Sequence, residues 1–532
     1  MTLGYWGVDL SPAIAQLRPD SSFGEENSFV TPNINIKGIQ SHRIDGGAQR
    51  GANLFHSFQE FNIQQGGGVY FTNPDGVANI LTRITGNNAS NILGTLGVLG
   101  NANLFFINPN GIIFGADAKL DIGGSFYGST ANSILLENGF EFATSNPQVP
   151  PLLTVNVPIG LRLPENPGSI LVEGRGHNLS LDPNTSAIIR ENRPLGLQVS
   201  PGKTLAIIGG DIFLKGANLT AENGRIELGS LQNGVVGLSS DSSTLNYGEI
   251  SGFGNIQLSQ ASSLDVSGEG AGEIKIQTGQ IQILDGSRIL ADTLGSKDGL
   301  TSIIKASESI ELLGKTSDGE ILSGIGAEVA VGATGKGGNL IVETKELLLS
   351  KEGVLFTVTF DSGNGGNLSL ETEGLRVQDG AQIGVFTFGT GDGGDLTISA
   401  KDIELIGTSA DGEKASALFA LVLDGAEGNG GNLSLETESL RVQDGAEISV
   451  FTFGRGDGGD LTISARDVEL TGTSANGIFL SSLSARVFNA AEGNGGNLSL
   501  ETESLRVEDG AQIATTTSGR GDGGNLTISA RD

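Results

Sequence analysis

In the last third of the chain, apolar residues fall on every second position in short bursts, as in Leu433-x-Leu435, Leu440-x-Val442 and Ile448-x-Val450. Asp-Gly or Gly-Gly closes each burst. Period two places such residues on one face of a β-strand. An amphipathic helix needs apolar residues at i, i+3 and i+4, and the closely spaced glycine-rich breaks leave no length for one. The bursts also recur: "GNGGNLSLETE" begins at Gly363, Gly428 and Gly493, a 65-residue period. Such periods mark solenoids and arrays.

Within each unit a second start, "GDGGDLTISA", follows the first at a 28-residue offset and precedes the next unit by 37. At the 28-residue offset Leu368 superposes on Leu396, Leu370 on Ile398, Leu375 on Ile403 and Val377 on Leu405. Leu340, Leu347 and Leu349 fit one step upstream, and "GEIKIQTGQIQILDGSRI" from Gly272 is a fainter copy. In the longer part of the unit Leu418/Leu483, Ala420/Ala485 and Val422/Val487 match, while Phe419 becomes Ser484 and Leu421 becomes Arg486. An inward face held fixed beside an outward face that drifts predicts stacked coils: an all-β, right-handed parallel β-helix, with 65-residue units at 363–427, 428–492 and 493–532 inside a repetitive region 251–532. At about 22 residues per coil and strands about 4.8 Å apart, the whole chain would form a rod on the order of 110 Å long.

Composition agrees with many short strands and turns. Gly is 84 of 532 residues, roughly twice the usual share, whereas Pro is only 14 and aliphatic residues stay abundant, which excludes collagen and argues against disorder. With 61 Asp+Glu against 31 Lys+Arg the formal net charge is -30. Phosphate backbones and anionic membrane surfaces would be repelled, so no nucleic-acid partner is expected. Cysteine is absent, which removes disulfides and thiolate chemistry. It also suits a chain that crosses a pore unfolded, since no disulfide can trap it. Residues 1–25 read as a residual signal peptide, with the small-x-small triplet Ala13-Ile14-Ala15 before Gln16, although Asp9 and Pro12 interrupt its apolar run.

Residues 26–250 do not repeat cleanly and carry two proline turns. "LFFINPNGIIFG" places Asn108-Pro109-Asn110-Gly111-Ile112 between two apolar runs, and "VYFTNPDGVANIL" places Asn73-Pro74-Asp75-Gly76 likewise. Pro presets φ at the second turn position, Asn-Gly or Asp-Gly suits the next two, and a leading Asn side chain can accept a backbone N–H. With "VTPNINIKGIQSHRIDGGAQRGANLFHSFQEFNIQQGGGVYF" and "NILGTLGVLGNANLFFINPNGIIFGADAKLDIGGSF", this stretch resembles the secretion domain of two-partner secretion exoproteins, the filamentous-haemagglutinin N-terminal domain, of the cyanobacterial type. The resemblance implies a capped β-helix. It further implies recognition by the POTRA domains of a dedicated outer-membrane transporter, passage through periplasm and outer membrane, and folding outside. The two turns would be the family's motifs, the second departing from the common Asn-Pro-Asn-Leu form at Asp75-Gly76. The competing view is that both are simply good corners without transporter contact.

No catalytic or metal site and no cofactor is expected. Many parallel β-helices cleave acidic polysaccharides with clustered carboxylates, but Glu371, Glu373 and Asp379 recur at Glu436, Glu438, Asp444 and at Glu501, Glu503, Asp509. A catalytic site is one unrepeated constellation. Asp392, Asp457 and Asp522 of "GDGG" lack the nine-residue calcium-repeat period, and Arg455-Gly456-Asp457 is explained as a glycine turn. His42, His56 and His177 are scattered and expected at turns or the surface. The reading is a secreted or cell-surface adhesin-like exoprotein without catalysis, whose repeated surface meets a cell-surface or glycan receptor; the alternative is a polysaccharide-binding or polysaccharide-cleaving β-helix. A third possibility is a contact-dependent toxin carrier. The sequence stops at "ISARD", midway through a third unit, and is expected to belong to a longer protein.

Overall fold

The computed structural model describes residues 15–532 except 151–156, 184, 240–243, 249, 251 and 490. Most of the proposed leader, residues 1–14, lies outside the described residues. Among the described residues the chain is built of β-strands, with one short 3-10 turn at Gly24–Glu26 and no α-helix.

One coil of the repeats explains the rest. Leu368–Gln378 is a single strand whose buried positions run 368, 370 and 372, then 375 and 377. That slip of phase turns its two halves onto two faces of the solenoid. Gln382–Thr387 supplies the third face. Each strand pairs in parallel with its counterpart in the next coil, so Leu368 stacks on Leu396, Leu370 on Ile398, Leu375 on Ile403 and Val377 on Leu405, as the 28-residue offset predicts. Ile448 lies between Leu418 and Leu483 in the same way. The inward Leu, Ile and Val side chains form one continuous core from Ile44 to Leu500. This is a parallel β-helix, and strand–crossover–strand connections of this kind are right-handed as a rule.

Coils are longer than the sequence pattern suggests. In the repeats equivalent positions of successive coils lie 28 or 37 residues apart, whereas Asn53, Asn79 and Asn103 of the N-terminal half follow one another more closely. The longer coil spends its extra residues on a small hairpin at the corner before the third face, closed by a bridge between Thr408 and Ala415, with counterparts at Lys315/Leu322 and Thr473/Leu480. From Asn53–Ile63 to Leu526–Ala530 the stack comprises fifteen rungs. At roughly 4.8 Å per rung the rod is on the order of 70 Å long, shorter than expected because each coil and its excursions consume more chain.

The Gly-Gly pairs answer to backbone proximity. A Cβ at Gly394 would lie 1.9 Å from the carbonyl oxygen of Gly366, and one at Gly431 would lie 1.7 Å from that of Gly394. Only glycine permits this corner to close at rung spacing. Beside it Asn and Asp side chains form a ladder: Asn367 Oδ1 accepts from Asp395 N at 3.0 Å, Asp395 Oδ1 from Asn432 N at 2.9 Å and Asn432 Oδ1 from Asp460 N at 3.0 Å.

The N-terminal half adds three things. Ala15–Pro19 runs antiparallel to Asn53–Ile63. The hairpin Ser28–Ile36/Ile39–Gly46 joins the third face through Gly68–Thr72 and closes this end of the helix. Residues 130–169 and 231–254 leave their coils to form a five-stranded antiparallel sheet, running Glu141–Ala143, Ser133–Leu136, Pro158–Leu163, Gly234–Leu238, Leu245–Asn246. This sheet lies over the outer side of the first face and makes a second core, in which Phe55, Leu81, Phe105, Tyr127 and Ala206 stack rung on rung. Strands buried on both sides become near-continuously apolar, and Thr204–Gly209 is buried at all its positions.

Candidate functional site: the N-terminal turns and cap

The two proline turns occupy different corners. Asn73 follows a third-face strand, Gly68–Thr72, and Asn108 a first-face strand, Asn103–Ile107. Asn108 is fully buried. Its Nδ2 donates to Asn88 O and to Ser90 Oγ, both at 3.0 Å, and its Oδ1 accepts from Asn110 N at 3.1 Å and Asn110 Nδ2 at 3.0 Å. Asn110 Nδ2 also reaches Gly86 O at 2.8 Å. Pro109 O accepts from Gly168 N at 3.0 Å. Gly111 adopts φ +124°, where a Cβ would come within 3.1 Å of Ser169 O. Ile112 stacks between Ser90 and Ile170. The turn therefore pins its coil to the coil before and to the chain that returns for the coil after.

Asn73 does the converse. Its Nδ2 donates to Val77 O at 3.0 Å, while its Oδ1 accepts from Ala102 N at 3.0 Å in the next coil. Pro74, Asp75 and Gly76 are exposed, and Gly76 has φ +79° with open space around it. Apart from this exposed tip and the exposed Asn110, the motif residues act as internal fasteners.

Around the closed end lies a charged network that periodicity did not reveal. Arg83, buried in the apolar strand Asn79–Ile84, donates through Nε to Ser57 Oγ at 2.9 Å, through Nη1 to Ala143 O at 2.9 Å and through Nη2 to Ser22 Oγ at 3.0 Å. Its guanidinium sits 4.4 Å from the Phe142 ring centre, and burial lowers its pKa to about 10. Burial of Asp20 would raise its pKa, but hydrogen bonds from Ser22, Ser57 and Thr85 outweigh it and hold the carboxyl below its usual value. Arg50 pairs with Glu26 at 2.6 Å and donates to Pro150 O at 2.9 Å. These contacts tie residues 20–26 and 143–150 onto the first coils. The lone Arg in "NILTRI" was the signal available in the sequence.

The histidines are not at the surface. His56 is fully buried with Nδ1 2.8 Å from Ser28 Oγ, and burial lowers its pKa to about 3. His177 Nε2 lies 2.9 Å from Gly286 O and its Nδ1 accepts from Leu179 N at 3.0 Å, while burial brings its pKa to about 4. His42 is also largely buried. Their scatter in sequence concealed this: His56 packs inward against Phe58 and Phe71, and His177 is covered by contacts to coils more than a hundred residues away.

Residues 15–276 match the family model described as the TPS secretion domain. The N-terminal half belongs to the two-partner secretion family. Among solved structures the chain is similar to the crystal structure of the HMW1 secretion domain from Haemophilus influenzae, at 15% identity and a TM-score of 0.40, covering 96% of this chain and 100% of that one. The search of curated proteins finds no match. A TPS secretion domain marks a secreted two-partner substrate, exported across the outer membrane.

Downstream of the secretion domain the recurring carboxylates stand apart. Glu371 stacks on Ser399, which stacks on Glu436, then Ser464, then Glu501. Identical carboxylates are thus two rungs apart, roughly 10 Å. Asp379, Asp444 and Asp509 hold left-handed turn positions with φ 53 to 55°. Asp457 of the Arg-Gly-Asp triplet belongs to the ladder, with Oδ1 accepting from Asn494 N at 2.7 Å, and Arg455 pairs with Glu427 at 2.9 Å. Phe419 and Leu421 do point outward, yet they are only 7% and 8% exposed because they cluster with Phe451 and neighbouring aromatics. The outward face there is partly apolar, not freely drifting.

Proposed function

We propose that this chain is an adhesin-like surface exoprotein whose secretion domain is delivered to a dedicated outer-membrane transporter through that transporter's periplasmic POTRA domains. The chain then folds outside by adding coils to a closed N-terminal end. The observation that carries this reading is the secretion-domain match at 15–276 on a helix whose rungs run on unbroken into the repeats. Asn73 and Asn108, with Pro74, Asp75, Gly76, Pro109, Asn110, Gly111 and Ile112, fix the register of the first coils as they form; Asn110 and Pro74–Gly76 are the parts open to a transporter.

The repeats supply length and a recurrent acidic surface. Weak contacts to a cell-surface or glycan receptor, made many times along a rod, sum to avidity. Spacing of the carboxylates over separate rungs supports this over a cleaving groove. Co-expression of the full-length exoprotein with its transporter tests the reading. Export should be lost without the transporter and reduced by joint replacement of Asn108 and Asn110 with Ala. Export independent of the transporter would refute the proposal, and undiminished export of the double variant would remove the role given to the turn.

A further inference from the structure

Between the second-face strand Ile170–Glu173 and the third-face strand Leu197–Gln198 of one coil, residues 174–196 leave the helix and run along the outside of the third face. A two-residue hairpin, Ser180–Leu181 against Ile188–Ile189, forms their tip. The segment lies inside the secretion-domain match, but much of its seat does not. His177 meets Gly286 O, 109 residues away. Leu179 is buried with Leu290 and Ile321, and Ile188 packs against them. Leu181 and Ile188 line a small cavity with Arg288, Glu328, Val354 and Phe356.

Charge reinforces the apolar seat. Arg190 is hydrogen-bonded to Asp292, whose other oxygen accepts from Glu328 N at 2.8 Å in the following coil. Arg193, almost fully buried, lies 3.5 Å from Asp265 and donates to Ser263 Oγ and Thr220 Oγ1. One segment thereby touches the successive third-face strands Asn218–Thr220, Ser263–Asp265, Arg288–Leu290 and Gly324–Val329.

A solenoid is ordinarily a chain of nearest-neighbour contacts, each coil stabilised only by the two beside it. We propose that residues 174–196 are a strap that closes only after the coils through Gly324–Val329 have formed, welding the secretion domain and the first coils beyond residue 276 into one cooperative unit. A chain emerging N-terminus first exposes the strap well before its seat exists. Until then Arg193 can reach Thr220 and Ser263 of the secretion domain, but Leu179 and Ile188 lack Leu290 and Ile321, Arg190 lacks Asp292, and the secretion domain is not fully closed. The strap also shortens its own coil's third-face strand to Leu197–Gln198, which makes no backbone pair with Lys119–Asp121 of the coil before and leaves a groove of about 550 Å³ there.

Hydrogen exchange read by mass spectrometry on the full chain tests this. Arg190→Gln should speed exchange at least tenfold in 177–190, in 286–292 and in 324–329 together, with 433–471 unchanged. Faster exchange confined to 177–190, or no change anywhere, would overturn the proposal. If Arg190→Gln fails to fold, Leu179→Ala is read by the same three segments, and the same outcomes support or overturn the strap.

Discussion

The secretion domain and the repeats use one coil geometry and bury it differently. In the repeats a first-face strand such as Leu396–Ile406 alternates buried and exposed, so each coil has one dry side and one wet side. In the secretion domain Asn79–Ile84 is buried at all its positions, because the antiparallel sheet covers the outside as well. Two cores around one sheet make the N-terminal half a place where single residues matter; the repeats spread their stability over interchangeable rungs. A closed, doubly packed end on which later coils can be laid is what a chain folding from its N-terminus requires.

The largest effect should separate the halves directly. Phe105→Ala empties a site between Leu81 and Tyr127 in the second core and should cost about 3–5 kcal/mol, whereas Thr397→Ala on the exposed side of a repeat should stay within about 0.5 kcal/mol. Urea unfolding midpoints of the two variants measure the contrast. Equal midpoints would erase it.

Next comes pH. Glu227 lies where the second core ends, with Arg225 and Lys275 3.8 and 3.7 Å away, and burial raises its carboxyl to about 7. The folded chain holds a proton that the unfolded chain, titrating near ~4.3, releases. Stability from that proton is full below the unfolded value and is lost as pH rises towards 7, a swing on the order of 3 kcal/mol. Glu227→Gln should flatten this limb and stabilise the protein at pH 8. His56 and His177 act oppositely: kept neutral by burial, they favour the fold above about 6.5 and destabilise it as pH falls from there. Thermal melts from pH 5 to 8 on wild type and Glu227→Gln separate the two signs.

Asn108→Ala should cost about 1–3 kcal/mol, since it strands the N–H of Asn110 and the carbonyl of Asn88. The same change at Asn432 should cost less, because this ladder residue is exposed and water can replace it. Parallel urea titrations decide the order. Smallest of all, Glu371→Gln should leave unfolding within about 0.5 kcal/mol, as expected for an exposed carboxylate stacked between Glu343 and Ser399.

Much of the repeats was legible because their physics is local. Period two names the inward side chains, the 28-residue offset names the residue above each, and Gly-Gly marks where backbones nearly touch. The second core was not legible, since strands apolar on both sides lose the alternation that gives a strand away, and their cover comes from excursions far along the chain. Asn108 read as a turn residue and not as a buried fastener, and His56 and His177 as surface residues, because the partners that bury them lie on other coils or on the cap, away from them along the chain. The rod length was misjudged because the corner hairpins of the longer coils and the excursions of the N-terminal half consume chain but add nothing to height.

The central claim is that coils stack in register along one axis, and a chain without cysteine allows it to be tested cleanly. Thr397 and Ser434 are exposed neighbours on adjacent rungs, at a spacing that a disulfide can bridge. In the secreted full-length protein, Thr397→Cys with Ser434→Cys should cross-link within the chain under mild oxidation, while Thr397→Cys with Ser499→Cys, two further rungs along, should not. Cross-linking of both pairs alike, or of neither, would contradict the stacked helix.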